Sequence, residues 1–148
     1  MRLSGLIASA LTVAFLALPA LAQAQDSPAG RWYTEGRKSQ IEISPCDGTK
    51  LCGKIIWLNE PNDESGKPKT DVKNPLPPNR DKPIVGLALL AGFVKQPDGT
   101  WAEGTIYNPE DGETYKCIMT LEGQDTLKVR GYVGMPMLGK TQVWTRVK

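Results

Sequence analysis

The feature that most constrains this chain is a series of eight short segments in which apolar and polar residues alternate. Turns of Gly, Pro, Asp and Asn separate most of them. Alternation with a period of two is typical of β-strands, and no pattern long enough to predict a layer of helices follows residue 24. The predicted strands are residues 31–35, 40–45, 51–58, 87–96, 101–107, 113–121, 126–133 and 141–147.

Short turns between consecutive strands predict a meander, in which neighbouring strands pair in order. A meander of eight strands leaves two exposed edges unless the first strand meets the last. We therefore predict an all-β domain over residues 25–148, an eight-stranded antiparallel up-and-down barrel, with an open sandwich of the same strands as the alternative. The interior of such a barrel is just wide enough for side chains or one small ligand.

The first 24 residues have the pattern of a secretory signal peptide. Arg2 precedes an uncharged stretch rich in Leu, Ala and Val, and small residues predict cleavage after Ala22 or Ala24. The alternative is a membrane anchor, which Pro19 and these small residues disfavour because they break the apolar run. We therefore expect a periplasmic or secreted protein.

Charge and composition disfavour several classes of function. The chain has 18 basic and 16 acidic residues, which gives no reason to expect nucleic acid or an anionic membrane surface as a partner. It has no histidine, so a Ser–His–Asp or Cys–His catalytic arrangement cannot form. No cofactor or metal is predicted, and no segment after the leader is apolar enough to span a bilayer.

Carboxylates provide the remaining catalytic candidates. Glu110 and Glu113 could act as an acid–base pair, but they flank a predicted turn, where carboxylates are usually solvated. Asp63, Glu64 and Asp71 could bind calcium, but they lack the spacing of an EF-hand loop. A hydrolase that uses such loop carboxylates is the least favoured function.

The three cysteines point to a disulfide rather than to a metal or redox site. A structural zinc site needs four Cys or His ligands, and a redox dithiol usually has two residues between its cysteines. Cys46 and Cys52 have five between them, across a predicted turn, so we expect a bridge that closes a hairpin. Cys117 alternates with apolar residues, which predicts a buried thiol.

The long connection between the third and fourth strands, residues 59–86, differs from the other turns. Its six prolines and many charges are incompatible with a central strand. A loop of this length in a compact domain is usually functional or disordered. Its apolar exit, residues 83–87, favours an ordered flap across one barrel mouth, with a short helical turn possible.

Five segments form a distinctive set when they are taken together: 30–32 (GRW), 46–55 (CDGTKLCGKI), 104–112 (GTIYNPEDG), 127–132 (LKVRGY) and 144–146 (WTR). With these segments the chain resembles a secreted bacterial family, the domain of unknown function 2147. The resemblance covers almost the whole chain after the leader. Cys117 departs from the family pattern.

The resemblance implies a lipocalin-like (calycin) barrel that binds a small ligand. In such barrels a Trp at the closed end packs under a basic side chain from a late strand. This implies that Arg146, or Arg130, covers the ring of Trp32, a contact worth about 0.5–2 kcal/mol. The alternative is that Trp32 is an ordinary core residue and both arginines are solvated.

The predicted function is therefore non-enzymatic binding of a small apolar or amphipathic molecule in the bacterial envelope. Lys128 and Arg130 are either exterior charges or a polar anchor inside the barrel, and strand register decides which. The alternative function is a protein-interaction module whose barrel is filled by its own side chains. The predicted ligand-binding residues are Trp57, Trp101, Tyr107, Tyr115, Met119, Lys128, Arg130 and Tyr132.

Overall fold

The computed structural model describes residues 26–148, which form a closed barrel of eight antiparallel strands. The predicted fold is confirmed, and strand ends differ from the predicted ones by at most two residues. The predicted signal peptide lies outside the described residues. The strands are β1 (Gly30–Tyr33), β2 (Ser39–Asp47), β3 (Lys50–Leu58), β4 (Ala88–Lys95), β5 (Trp101–Asn108), β6 (Glu113–Glu122), β7 (Thr126–Tyr132) and β8 (Lys140–Arg146).

Pairing between the first and last strands closes the barrel. Every strand pairs with its sequence neighbours, and β1 pairs antiparallel with β8 through Trp32 opposite Arg146 and Tyr33 opposite Thr145. Closure gives both terminal strands a partner, so neither is left as a free sheet edge.

The alternation of the strands separates a buried inner face from a charged outer face. Ile41 and Ile43 of β2 are buried, whereas Glu42 between them points outward. On the outer surface the Glu42 carboxylate lies 3.3 Å from Arg31 Nε and 3.8 Å from Lys54 Nζ. The apolar half of the pattern therefore forms one core inside the barrel.

One end of the barrel is filled with side chains. The connections β2–β3, β4–β5 and β6–β7 lie at this end, because successive antiparallel strands turn at opposite ends. The Phe93 ring crosses the interior and occupies the space that a Cβ on Gly104 would need. The side chains that fill this end are all 7% exposed or less: Trp32, Phe93, Trp101, Cys117, Met119 and Leu127.

A cation–π contact covers the bottom of this filled end. The guanidinium carbon of Arg146 lies 4.2 Å from the centroid of the Trp32 ring. Arg146 also donates hydrogen bonds to the carbonyls of Gln124 (2.5 Å) and Ala29 (2.9 Å), and Trp32 Nε1 donates to Pro28 O at 2.7 Å. These contacts fix the segment before β1 and the β6–β7 turn across the barrel bottom.

The predicted disulfide is confirmed between Cys46 and Cys52, with an S–S distance of 2.05 Å. It joins β2 to β3 across their turn, which makes it a structural bridge. For a closed loop this short, the chain-entropy model gives about 2.4 kcal/mol of stabilisation.

The thiol of Cys117 is buried and free, and burial raises its pKa to about 12. The thiolate is the reactive form, so at pH 8 its population should be about a thousandfold below that of an ordinary cysteine. We expect no alkylation of the native protein by iodoacetamide at pH 8, and one labelled thiol per chain in non-reducing denaturant. Mass spectrometry should find the label on Cys117, with two more sites after reduction. Rapid labelling of the native protein would contradict this burial.

The β3–β4 connection, residues 59–86, is an ordered loop that we call the flap. Bridges between Asn62 and Pro68 and between Thr70 and Pro83 give it internal structure. Short 3₁₀ turns occur at η1 (Glu35–Arg37), η2 (Pro77–Asn79) in the flap, and η3 (Pro136–Leu138). Across residues 26–148, no helix has the length and apolarity needed to cross a membrane.

Candidate functional site

A cavity of about 1300 Å³ extends from the half of the barrel opposite the filled end out to the barrel mouth. Its mouth is formed by the β1–β2, β5–β6 and β7–β8 connections and by the flap. The cavity opens to solvent there, since exposed residues of these connections contribute to its lining.

The inner part of the cavity is apolar. Val129 and Trp144 are buried on β7 and β8, and the indole Nε1 of Trp144 donates to Gln142 Oε1 at 2.9 Å. This hydrogen bond satisfies the one polar atom of the indole, so the ring can face an apolar molecule. The apolar residues lining the cavity are Ile55, Leu58, Ile84, Leu89, Ile106, Val129 and Trp144, with Val72, Val133 and Leu138 towards the mouth.

A buried carboxylate connects the flap to the cavity wall. Asp71 of the flap is 1% exposed, and it accepts hydrogen bonds from Tyr107 Oη (2.8 Å) and Asn74 Nδ2 (2.7 Å). Burial, together with the hydrogen bond to Asp71, raises the pKa of Tyr107 to about 12. Tyr107 therefore remains a neutral donor at physiological pH, and its hydroxyl holds the flap over the mouth.

The flap also contacts the β5–β6 turn through the side chain and the backbone of Lys73. Lys73 Nζ donates to Glu110 O at 2.7 Å, and the Lys73 carbonyl lies against Gly112 where a Cβ would be. Gly112 has φ +73°, a conformation that L side chains rarely adopt. Glycine is therefore required both by the backbone conformation and by the contact with the Lys73 carbonyl. Asp71, Lys73 and Gly112 together seat the middle of the flap on the barrel.

A second tyrosine–carboxylate pair lies beside the same turn. Tyr115 Oη donates to Asp111 Oδ2 at 2.7 Å. This hydrogen bond is the main cause of the lowered pKa of Asp111 and of the raised pKa of Tyr115. The pair gives the cavity an anionic acceptor near its mouth, above the apolar inner part.

Three of the eight predicted ligand-binding residues line the cavity, namely Tyr107, Tyr115 and Tyr132. Trp101 and Met119 lie opposite each other on β5 and β6 and are buried in the filled end of the barrel, below the cavity. They point inward as the alternation predicts, but neighbouring side chains occupy the space around them.

Trp57 lies on the outer surface rather than in the cavity, with 39% of its area exposed. A β-bulge explains this position: Ile41 pairs with Ile55, but the adjacent Gln40 pairs with Trp57. The extra residue on β3 reverses the alternation, so Ile55 faces inward and Trp57 outward. The Trp57 ring instead packs edge-on against Tyr33, with ring centroids 6.2 Å apart.

Lys128 and Arg130 also face outward, so neither is a polar anchor inside the barrel. Lys128 Nζ forms an ion pair with Glu122 at 2.7 Å. Arg130 donates to the carbonyls of Pro136 and Met137 in the β7–β8 connection, so it does not cover Trp32. Register places Leu127, Val129 and Gly131 on the inner face of β7 instead.

Sequence reasoning missed Val129, Ile106 and Trp144 as lining residues, and it considered Asp71 of the flap only as a calcium ligand. The apolar alternation of Leu127 and Val129 in β7 is a signal that could have identified the inner face of this strand. The Tyr107–Asp71 pair joins residues 36 positions apart, and no local pattern predicts such a contact.

The candidate calcium ligands do not form a cluster. Within the part of the chain that the structure describes, no group of three or more Cys, Asp or Glu side chains could hold a metal ion. Asp63 instead accepts hydrogen bonds from the Ser65 hydroxyl (2.6 Å) and from the amides of Ser65 and Lys67. These hydrogen bonds, above all the one from the Ser65 hydroxyl, lower the pKa of Asp63. Asp63 therefore shapes the flap turn.

The barrel is similar to a solved structure described as "Protein HP1028 from the human pathogen Helicobacter pylori belongs to the lipocalin family". The two share 24% sequence identity and superpose with a TM-score of 0.71, over 82% of this chain and 84% of the other. At this identity the likeness concerns the fold: both are lipocalin-like barrels. No curated protein sequence matches the chain.

The family comparison covers most of the same residues. A family model described as "Uncharacterized protein conserved in bacteria (DUF2147)" matches residues 30–146, from the first residue of β1 to the last residue of β8. The match spans the entire barrel and the flap. The chain therefore belongs to this bacterial family, DUF2147, and folds as a lipocalin-like barrel.

Proposed function

We propose that this protein is a periplasmic or secreted carrier that binds one small apolar or amphipathic molecule in the open half of its barrel, without chemical conversion. The observation that carries the proposal is the cavity of about 1300 Å³, closed below by packed side chains. Pockets for small molecules typically measure about 300–1,000 Å³ and are mostly apolar with a few placed polar groups. This cavity is large enough for a lipid-like molecule.

The polarity of the lining suggests how the ligand is oriented. The buried side chains of Val129 and Trp144 favour an apolar portion in the inner part. Towards the mouth, Tyr107, Asp111 and Tyr115 offer polar atoms. An amphipathic molecule would therefore enter with its apolar end first and keep its polar end near the flap.

Other observations support the compartment and the non-enzymatic role. The leader pattern of residues 1–24 is that of an exported protein, and a disulfide is typical of oxidising compartments. Two flap carboxylates have structural partners: Asp71 accepts the hydrogen bond from Tyr107 that holds the flap, and Asp63 accepts from Ser65 in the flap turn. The alternative, a barrel filled by its own side chains, fits the filled end, but the opposite half has space for a ligand.

Enlarging Val129 should fill the cavity and weaken ligand binding. Val129 is 2% exposed and lines the cavity, so a Phe ring at this position would occupy the space of the ligand. The ring extends into the cavity, so the loss of stability should be smaller than the cost of overpacking a filled core, about 1–3 kcal/mol. We expect Val129→Phe to weaken the binding of the apolar dye N-phenyl-1-naphthylamine at least about tenfold. The measurement is a fluorescence titration, extended to fatty acids, phospholipids and isoprenoids by dye displacement.

Two variants serve as controls for this titration. Val143→Phe makes the same change on the outer face of β8, where Val143 is 41% exposed, and should leave dye affinity unchanged. Met119→Phe enlarges a side chain in the filled end, so it should cost about 1–3 kcal/mol of stability without affecting the dye. If the wild-type protein binds no probe below about millimolar, or if Val143→Phe weakens binding as much, the carrier proposal is wrong.

A further inference from the structure

The β7–β8 connection exposes an unusual run of apolar side chains. Val133 is 70% exposed, Met135 57%, Met137 73% and Leu138 73%. These four residues lie within six consecutive positions, and we call residues 133–138 the apolar tip. Single exposed apolar residues are common on protein surfaces, but a contiguous group usually marks an interaction surface.

The backbone of the apolar tip is held in one conformation. Arg130 donates to Pro136 O (2.6 Å), to Met137 O (3.2 Å) and to Thr141 Oγ1 (2.7 Å). The 3₁₀ turn adds a hydrogen bond from the Leu138 amide to Met135 O at 3.0 Å. The side chains are therefore presented outward by a braced loop, and their exposure is a property of the fold.

Two cations, Arg130 and Lys140, flank the apolar tip. The other basic residues of β7, β8 and the residues after β8 lie at the filled end of the barrel, where Lys128, Arg146 and Lys148 contact the β6–β7 hairpin. Glu35 reaches this side of the barrel from the β1–β2 connection, where its carboxylate accepts from the Val143 amide at 3.3 Å. An apolar tip between cations suits a surface that is apolar inside and anionic at its boundary.

The apolar tip is continuous with the cavity mouth. Val133 and Leu138 line the cavity as well as being exposed, and so does Val72 of the flap, which is 65% exposed. Apolar surface therefore runs from the outside of the protein into the binding cavity. A molecule leaving an apolar phase at the tip would remain in contact with apolar side chains on its way inward.

We propose that the apolar tip docks reversibly onto the surface of an anionic lipid bilayer. Val133, Met135, Met137 and Leu138 insert among the lipid headgroups, and Lys140 faces the phosphates. Four side chains are too few for a stable protein interface, which buries about 800 Å² on each partner. They are sufficient for reversible attachment to a membrane, where a few apolar groups act together with nearby cations.

Vesicle sedimentation tests the proposal. The full-length mature protein should sediment with vesicles of phosphatidylglycerol more than with vesicles of phosphatidylcholine, and added salt should reduce the difference. Replacing Met137→Ser and Leu138→Ser together should lower partitioning into phosphatidylglycerol at least about tenfold, since each buried methylene contributes about fourfold. Both side chains are exposed, so the melting temperature should not change.

A matched double variant tests whether the apolar tip is the part of the protein that contacts the vesicle. Leu76→Ser with Val85→Ser removes two exposed apolar side chains from the flap, at 60% and 46% exposure, and should leave sedimentation unchanged. Equal losses from both pairs, or no sedimentation of the wild-type protein with phosphatidylglycerol, would overturn the proposal. So would a dimer in gel filtration that the tip substitutions convert to monomer, because a second copy would then cover the tip.

Docking goes beyond the carrier function, and the two can fail separately. Vesicle sedimentation requires no ligand in the cavity, whereas the dye titration is carried out without vesicles. If the protein sediments with vesicles but does not bind the dye, the docking proposal holds and the carrier proposal is wrong. Dye binding without sedimentation would have the opposite consequence.

Discussion

Replacing Trp32 with Ala should lower the free energy of unfolding by about 3–5 kcal/mol, because it empties a large buried aromatic site. The Trp32 side chain is 0% exposed in the filled end of the barrel. Its loss also leaves Pro28 O without the indole N–H donor at 2.7 Å, and Arg146 without the ring beneath it. Urea unfolding followed by circular dichroism measures the change.

Trp57→Ala is the matched control for this measurement. It removes the same side chain from the outer surface, where Trp57 is 39% exposed and contacts Tyr33 edge-on. The aromatic pair contributes about 0.5–1.5 kcal/mol beyond area burial, so the cost should be well below that of Trp32→Ala. Similar costs for the two tryptophans would contradict the assignment of Trp32 to the filled end.

Part of the stability lost in Trp32→Ala should come from the contact between the Trp32 ring and Arg146. Arg146→Ala should be destabilising by less, and the double variant should be non-additive by about 0.5–2 kcal/mol because the two side chains touch. Arg146→Lys keeps the charge but loses the planar fork that reaches Gln124 O and Ala29 O at once. It should therefore recover only part of the loss. Additive effects would mean that the cation–π contact contributes nothing.

The architecture could be predicted from the sequence because its determinants are local. Alternating residues define each strand, and turns such as Asp47-Gly48 and Pro109-Glu110-Asp111-Gly112 define where strands end. The order of strands in a meander follows the order of the chain, so closure required only that β1 meet β8. The Cys46–Cys52 bridge is local in the same sense, since it spans a single hairpin.

The cavity could not be predicted in the same way, because its lining depends on strand register and on contacts between distant residues. One bulge in β3 turns Trp57 outward, although alternation from Ile55 would place it inside. The register of β7 places Val129 inside and sends Lys128 and Arg130 outside. A period-two pattern cannot show which inward residues pack against each other, so it does not distinguish Met119 of the filled end from the residues that line the cavity.

The flap is the part of the site whose attachment can be tested most directly, through Gly112. Gly112→Ala places a methyl group against the Lys73 carbonyl, in a backbone conformation with φ +73°. We expect the flap to leave its seat on the β5–β6 turn and to break the Asp71–Tyr107 hydrogen bond. Amide exchange at Asp71 and Ile84, whose N–H groups bond to Lys82 O and Lys69 O within the flap, should accelerate at least about thirtyfold. Hydrogen exchange followed by NMR or mass spectrometry measures this rate.

Gly92→Ala separates the steric contact from the backbone strain. Gly92 has the same φ of +73°, but nothing lies within 4 Å of where its Cβ would be. Both variants carry the strain of a left-handed alanine, about 1–2 kcal/mol, and only Gly112→Ala carries the overlap with the flap. Gly92→Ala should therefore lower overall stability without selective exchange in the flap, and it should leave dye release from the cavity unchanged. If the two variants have the same exchange pattern, the Lys73–Gly112 contact does not hold the flap. If Gly112→Ala alone opens the flap and also speeds dye release, the flap is the gate of the cavity.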